Sequence, residues 1–173
     1  MDVWTAIRTK RMVRDFQDRP LERDHLERIL DAGRHAGSSK NLQRWDFIVI
    51  EDRATLRRLA QIGKYAGHIA DAAAAVALVT PDPRTDDAPL SVTWDSGLAA
   101  ENMMLAAWEL GIGSCPATVY DDALARAILA YPTDRFCGYV LSFGYPKDAT
   151  DLTRRPKAGG RRSLEEITHR DRW

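Results

Sequence analysis

The chain has 173 residues, 45% of them hydrophobic and 29% charged, with 25 basic against 25 acidic side chains. This is an ordinary globular composition with enough apolar material for one core, and the charge balance excludes a bulk nucleic-acid binder or an acidic tail protein. Cys115 and Cys137, with no CxxC and no His-rich tract, exclude a zinc scaffold or a disulfide framework.

In chain order, residues 2–10 predict a short helix with Val3, Trp4 and Ile7 on one face. Pro20 suits the first turn of a second helix, in which Leu26, Ile29 and Leu30 recur at helical spacing until Gly37-Ser38-Ser39 breaks it. Residues 45–50 are aromatic and β-branched, hence a strand. A helix over 53–65 follows, with Leu56, Leu59 and Ile62 on one face. Residues 73–80 predict a buried strand, although the alanines also permit a helix, and 81–89 predict a loop. The longest helical pattern, 93–110, is apolar on most sides, which predicts a buried central helix capped by Gly111. Residues 112–118 predict a short strand or turn, 121–129 a helix, and 136–143 a strand ended by Gly144-Tyr145-Pro146.

No internal repeat or domain boundary appears, so residues 1–173 read as a single domain. The elements alternate without doubly wound spacing. They predict an α+β fold: a central mixed, mainly antiparallel sheet flanked by helices. The polar C-terminal segment after Lys147 has little to pack on in its own protomer, so it is expected to extend onto a partner subunit. The start of the chain lacks a signal-peptide stretch, and the most apolar run, 72–79, is too short for a membrane span. A reducing cytoplasm is the expected setting.

The charge is unevenly spread. Residues 1–14 carry Arg8, Lys10, Arg11 and Arg14 against Asp2 alone, and residues 151–173 carry seven cations against four acids. Two basic ends on an acidic middle invite an anion. Four groups could carry chemistry. Lys10-Arg11-Met12-Val13-Arg14-Asp15-Phe16 places three cations within five residues, as a phosphate monoester requires. Gly37-Ser38-Ser39-Lys40-Asn41-Leu42-Gln43-Arg44-Trp45 offers hydroxyls and amides suited to a heterocycle edge or a sugar chain. The stretch from Asp95 through Gly97, Asn102, Gly111 and Gly113 to Pro116 lacks GxGxxG spacing, and most of it reads as core packing. Gly159-Gly160-Arg161-Arg162 permits close approach to an anion, and Ser163-Leu164-Glu165-Glu166 predicts a helix start.

In their order, these groups resemble the motifs of the nitroreductase family: Arg-Arg-Ser-x-Arg-x-Phe, Pro-Ser-x-x-Asn-x-Gln-Pro-Trp, Asp-x-Gly before Leu-Gly-Leu-Gly, Gly-Tyr-Pro and Arg-x-x-Leu-Glu-Glu. The resemblance spans nearly the whole chain. It implies a homodimer with two FMN sites, each lined by both subunits. Lys10, Arg11, Arg14 and Arg161 would then hold the FMN phosphate, with Arg162 as a helper. Ser38, Ser39, Asn41 and Gln43 would come from the other subunit to ribityl and ring, and backbone at Pro116, Ala117 and Thr118 would face flavin N5 and O4. It also implies ping-pong hydride transfer from NAD(P)H through flavin N5 to an electron-poor acceptor such as a nitroaromatic or quinone. No catalytic side chain or metal is expected, because the flavin carries the chemistry.

Three departures stand out. Met12 replaces the usual serine and removes a phosphate hydrogen bond; Gly37 and Arg44 replace prolines; and the chain is short. Two alternatives remain: a deazaflavin-binding or flavin-processing enzyme of the same fold, and a non-enzymatic anion- or nucleic-acid-binding module. The last predicts binding that falls steeply with salt, but it does not explain the motif order.

Overall fold

The run of alanines and valines after residue 73 sets the architecture. It forms β2 (Ala74–Pro81), a strand buried over all but its last residue. Alternate side chains of a strand face opposite ways, and here both sets are apolar. Ala75, Ala77 and Val79 enter one hydrophobic cluster, while Ala74, Val76 and Leu78 enter another. The alternation resolves the strand-or-helix ambiguity: small residues let helices approach a central strand from both sides.

A computed structural model of the chain describes residues 1–154 and 160–173. Its sheet runs in the order β1-β2-β4-β3, with β1 (Asp46–Ile50), β3 (Gly113–Thr118) and β4 (Arg135–Gly144) joining β2. All three strand pairings are antiparallel, and the parallel element is the isolated bridge between Met12 and Ser114. The α+β arrangement expected from sequence is therefore present.

One face of the sheet is covered by α2 (Arg23–Arg34) and α4 (Ser91–Glu109), the other by α3 (Arg53–Leu59) and α5 (Asp122–Leu129). Helices α2 and α4 meet closely at Gly33, where an added Cβ would overlap the Met103 side chain. The short α1 (Val3–Thr9) is tied to α4 by the Trp108 Nε1–H bond to Thr9 Oγ1 at 2.9 Å. Asp2, Asp52 and Asp121 cap α1, α3 and α5, each accepting a backbone N–H three residues ahead.

Several boundaries differ from the sequence expectation. Helix α2 begins at Arg23 instead of Pro20, because Leu21 is drawn into the core before the helix starts. Helix α3 ends at Leu59, well short of residue 65. The chain turns there so that the Ile62 carbonyl can accept the N–H groups of Tyr120 and Asp121. Helix α4 is not buried all round. Trp94 is 71% exposed, and Leu90 and Leu98 are also exposed along its N-terminal half. The start signal at Ser163 is correct: Ser163 and Glu166 form a reciprocal capping box on α6 (Leu164–Ile167). No helix among the described residues is long and apolar enough to cross a membrane.

Gly113 allows the N-terminal segment to lie against β3. A Cβ there would stand 2.5 Å from the Val13 Cβ, and Val13 is fully buried and branched. Gly113→Ala is therefore expected to cost about 1–3 kcal/mol through overpacking, read as a lower denaturant midpoint with unchanged slope. An unaltered midpoint would refute the close contact.

Candidate active site

Residues 12–17 form an extended strap clasped at both ends. Val13 N–H donates to the Ser114 carbonyl at 3.0 Å, and Met12 pairs with Ser114 through its backbone. At the other end Gln17 N–H donates to the Tyr145 carbonyl and Lys147 N–H to the Asp15 carbonyl. The Gln17 side chain donates to the Pro146 carbonyl at 2.9 Å. Tyr145 is itself held: Arg19 lies over its ring at 4.1 Å, and its hydroxyl meets His25 Nδ1 at 3.0 Å. The Gly144-Tyr145-Pro146 motif thus anchors the basic segment, a role the sequence reading did not assign to it.

Extended backbone sends neighbouring side chains to opposite faces. Val13 and Phe16 are buried, Met12 is partly covered, and Arg14 is exposed. Lys10 turns inward: its side chain is only 9% exposed, and its Nζ lies 3.3 Å from Glu101 Oε2 on α4. Arg11 donates to the carbonyls of Arg8 and Lys10, at 3.0 and 2.8 Å, so its guanidinium serves its own backbone. Arg14 reaches toward the Cys115 thiol and the His68 imidazole, where its positive charge acts on both. The structure therefore brings Lys10 and Arg14 next to β3 and engages Arg11 locally.

Behind Arg14 is a buried polar relay. Ser142 Oγ donates to the Cys115 carbonyl at 3.1 Å and contacts His68 Nδ1 at 2.8 Å. A hydroxyl has one proton, so its use on the carbonyl makes Nδ1–H the donor of the second bond. That leaves His68 Nε2 unprotonated, buried and without a hydrogen-bond partner among the described residues. Burial, reinforced by the Arg14 charge, lowers the His68 pKa to about 4. Burial disfavours the thiolate at both cysteines: it pushes Cys115 up against the opposing pull of Arg14, and pushes Cys137 up to about 12.

Strand β3 is a sheet edge, joined on its outer side by the Met12 bridge. Ala117 faces the core, whereas Pro116 is partly exposed and Thr118 is exposed. What Pro116, Ala117 and Thr118 offer on that edge is backbone. Pro116 also borders a cavity of about 290 Å³ between α4 and the sheet, walled by Thr93, Gly97, Met104, Phe136 and Tyr139.

The amide-bearing loop has its own anchor. Ser39 N–H donates to Asp95 Oδ2 at 3.0 Å, and Asp95 is only 3% exposed. Ser38 Oγ accepts the Gln43 N–H at 3.0 Å, and Gln43 Nε2 donates to Asn41 Oδ1 at 3.1 Å. Lys40, Asn41 and Gln43 have φ of 52°, 55° and 46°. Three non-glycine residues in the left-handed region within four positions store backbone strain, which concentrates at ligand sites. Most of this stretch reads as packing from sequence, but Asp95 is the tether of this loop, and its signal is an acid in the N-terminal half of a largely apolar helix. Arg44, standing where the family has proline, donates to Ser91 Oγ at 3.3 Å and ties the loop to the start of α4.

Asp95 and Glu101 are six residues apart on α4, so they are separated by about 9 Å along the axis and roughly 120° around it. The loop and Lys10 consequently approach different faces of that helix. The tail is separate again. Every hydrogen bond, ion pair and ring contact of residues 160–173, among the described residues, is internal to that segment, such as Arg162 Nη2 donating to the Glu166 carbonyl at 2.7 Å. Arg161 and Arg162 are exposed and are not joined to Lys10 or Arg14 within one chain. Gly159 of the glycine pair lies outside the described residues.

The buried imidazole has a pH consequence. His68 is neutral when folded and titrates near the ordinary 6.5 when unfolded, so the unfolded chain binds more protons between those values. Stability is complete above about pH 6.5 and falls as the pH drops toward 4, by an amount on the order of 3 kcal/mol. His68→Gln should flatten that acid limb in urea titrations at pH 7 and pH 4.5; an equally steep loss in the variant would contradict this.

A model of the nitroreductase family matches residues 7–145. A protein of Archaeoglobus fulgidus with the provisional name NADH dehydrogenase/NAD(P)H nitroreductase is 35% identical, and the match covers 96% of each chain. A crystal structure from Parabacteroides distasonis with the same provisional name superposes with a TM-score of 0.84 at 25% identity, covering 98% of each chain. An FMN-dependent nitroreductase from Clostridium difficile gives 0.82 at 24% identity, covering 99% of this chain and all of that one. With its basic strap, amide loop and glycine-flanked strand in family order, the chain belongs to the nitroreductase family.

Proposed function

We propose that this protein is an FMN-dependent NAD(P)H oxidoreductase that delivers electrons to an electron-poor acceptor such as a nitroaromatic or quinone. One observation carries the reading: the clasped strap sets Lys10 and Arg14 beside the free edge of β3, where Pro116–Thr118 present backbone. A phosphorylated flavin needs cations for its phosphate and polar backbone for its ring edge, and both meet there. The names of the Archaeoglobus and Clostridium relatives support the same reading.

The residues present fit FMN. Lys10 already holds an anionic oxygen in a nearly buried position. Arg14, whose charge acts on Cys115 and His68 beside β3, would also favour the negative charge that develops on a bound flavin when it is reduced. Arg161 and Arg162 would add to the phosphate set. Met12 offers no hydroxyl, so cations hold the phosphate without that bond. When bound, FMN would supply the redox chemistry, carrying a hydride equivalent from NAD(P)H to the acceptor. The chain supplies orientation, and the apolar cavity beside Pro116 suits a planar acceptor. No side-chain nucleophile is required, in keeping with the raised pKa of both thiols.

The working unit is a homodimer. Ser38, Ser39, Asn41 and Gln43 approach a different face of α4 from Lys10, so a site containing both groups draws them from two chains. Exposed Leu90 at the start of α4, Trp94 and Leu98 on it, and Val3, Trp4 and Ile7 on α1, give a second protomer apolar surface to cover. The tail, which makes its described polar contacts with itself, would extend onto that protomer. The site of action is the cytoplasm, where buried Cys115 and Cys137 remain free thiols.

The purified protein should show flavin absorption that NADH or NADPH bleaches and a quinone or nitroaromatic restores. A preparation that stays colourless after incubation with FMN would overturn the assignment. Arg161→Ala should release FMN on dialysis about tenfold more readily than wild type, the loss of one charge-assisted bond. Unchanged flavin retention, or a sedimentation mass of one chain at micromolar concentration, would refute the shared site.

A further inference from the structure

The ion pair between Lys10 and Glu101 is unlike the other ion pairs among the described residues. Its cation is nearly buried, at 9% exposure, while its carboxylate is 46% exposed. Elsewhere, pairs such as Arg23–Glu27 or Arg34–Asp31 join two exposed groups on one helix, where they contribute little. Lys10 sits at the root of the clasped strap, whereas Glu101 is on α4 with a route to solvent. A buried ammonium requires an anion, and among the described residues Glu101 supplies it.

We infer that Glu101 occupies the position of the flavin phosphate in the empty protein and thereby sets how strongly the site prefers FMN to riboflavin. This rests on the reading of Lys10 as a phosphate holder. A phosphate arriving at Lys10 either displaces the carboxylate into solvent or is held beside it. The first breaks an existing pair, and the second places two anions on one cation. Both reduce the gain from the phosphate, and neither affects riboflavin, which has none. Removing the Glu101 charge leaves Lys10 unpaired in the empty state, so the incoming phosphate recovers the full interaction. Glu101 is thus a specificity-determining residue, and it acts without touching the isoalloxazine ring.

The test is a titration of flavin-free protein with FMN and with riboflavin, followed by flavin fluorescence, in wild type, Glu101→Gln, Lys10→Met and the double variant. Glu101→Gln should raise the FMN-to-riboflavin affinity ratio by roughly three- to tenfold, the range for a partly buried ion pair. Riboflavin affinity itself should not change. Lys10→Met should lower the ratio, and in its background Glu101→Gln should have no effect. Inorganic phosphate should compete with FMN more effectively in Glu101→Gln than in wild type. An unchanged or lower ratio in Glu101→Gln, with Lys10→Met still lowering it, overturns the inference and leaves the function intact. No effect of Lys10→Met on the ratio overturns the phosphate reading itself. If Glu101→Gln does not fold, Glu101→Asp, whose shorter side chain draws the carboxylate back, should raise the ratio in the same direction; a fall would count against the inference.

Discussion

The structure depends on the docking of an extended strap, residues 12–17, across the ends of β3 and β4. Backbone bonds at Ser114 and Tyr145 fix its two ends, and Val13 and Phe16 are buried between them. Both contacts need a missing side chain on the sheet: Gly113 under Val13 and Gly144 under Phe16. Once the strap is fixed, Lys10 is carried to α4 and Arg14 to the open edge of β3. Two glycines and three backbone bonds therefore position the cations that the proposed cofactor requires.

Much of the remaining polar architecture braces this edge. The His68–Ser142–Cys115 relay satisfies polar groups beneath β3 and leaves Nε2 as an acceptor with no donor among the described residues. A protonated imidazole there would oppose Arg14, and burial keeps it neutral. On the other side of α4, Asp95 performs a comparable service for the strained loop at residues 38–43. Both devices spend a buried polar group on holding backbone, a common way of preorganising a site on rigid elements.

The isolated chain also shows what it leaves unfinished. Apolar residues on α1 and α4 remain exposed, the amide loop and the strap address different faces of α4, and the basic tail makes its described polar contacts with itself. A second copy that supplied the loop and received the tail would resolve all three together. The charge asymmetry of the sequence, basic at both ends, acquires a physical sense in that arrangement, because the ends need not meet within one chain.

Periodicity and turn chemistry alone identified nearly every element: the strands at 45–50, 73–80 and 136–143, the long helix, and the capping box at Ser163. Those signals are local, and local propensity agrees with the final fold at these places. Motif order was equally legible, because it depends on residue identity alone. Sequence could not distinguish Arg11, which bonds to its own carbonyls, from Lys10 and Arg14, since all three are equivalent cations until the strap has a direction. It also could not identify Glu101 or Asp95 as partners of groups 91 and 56 residues away. Those pairings follow from where α4 lies against the strap and the loop, and that placement was decided by packing across the sheet.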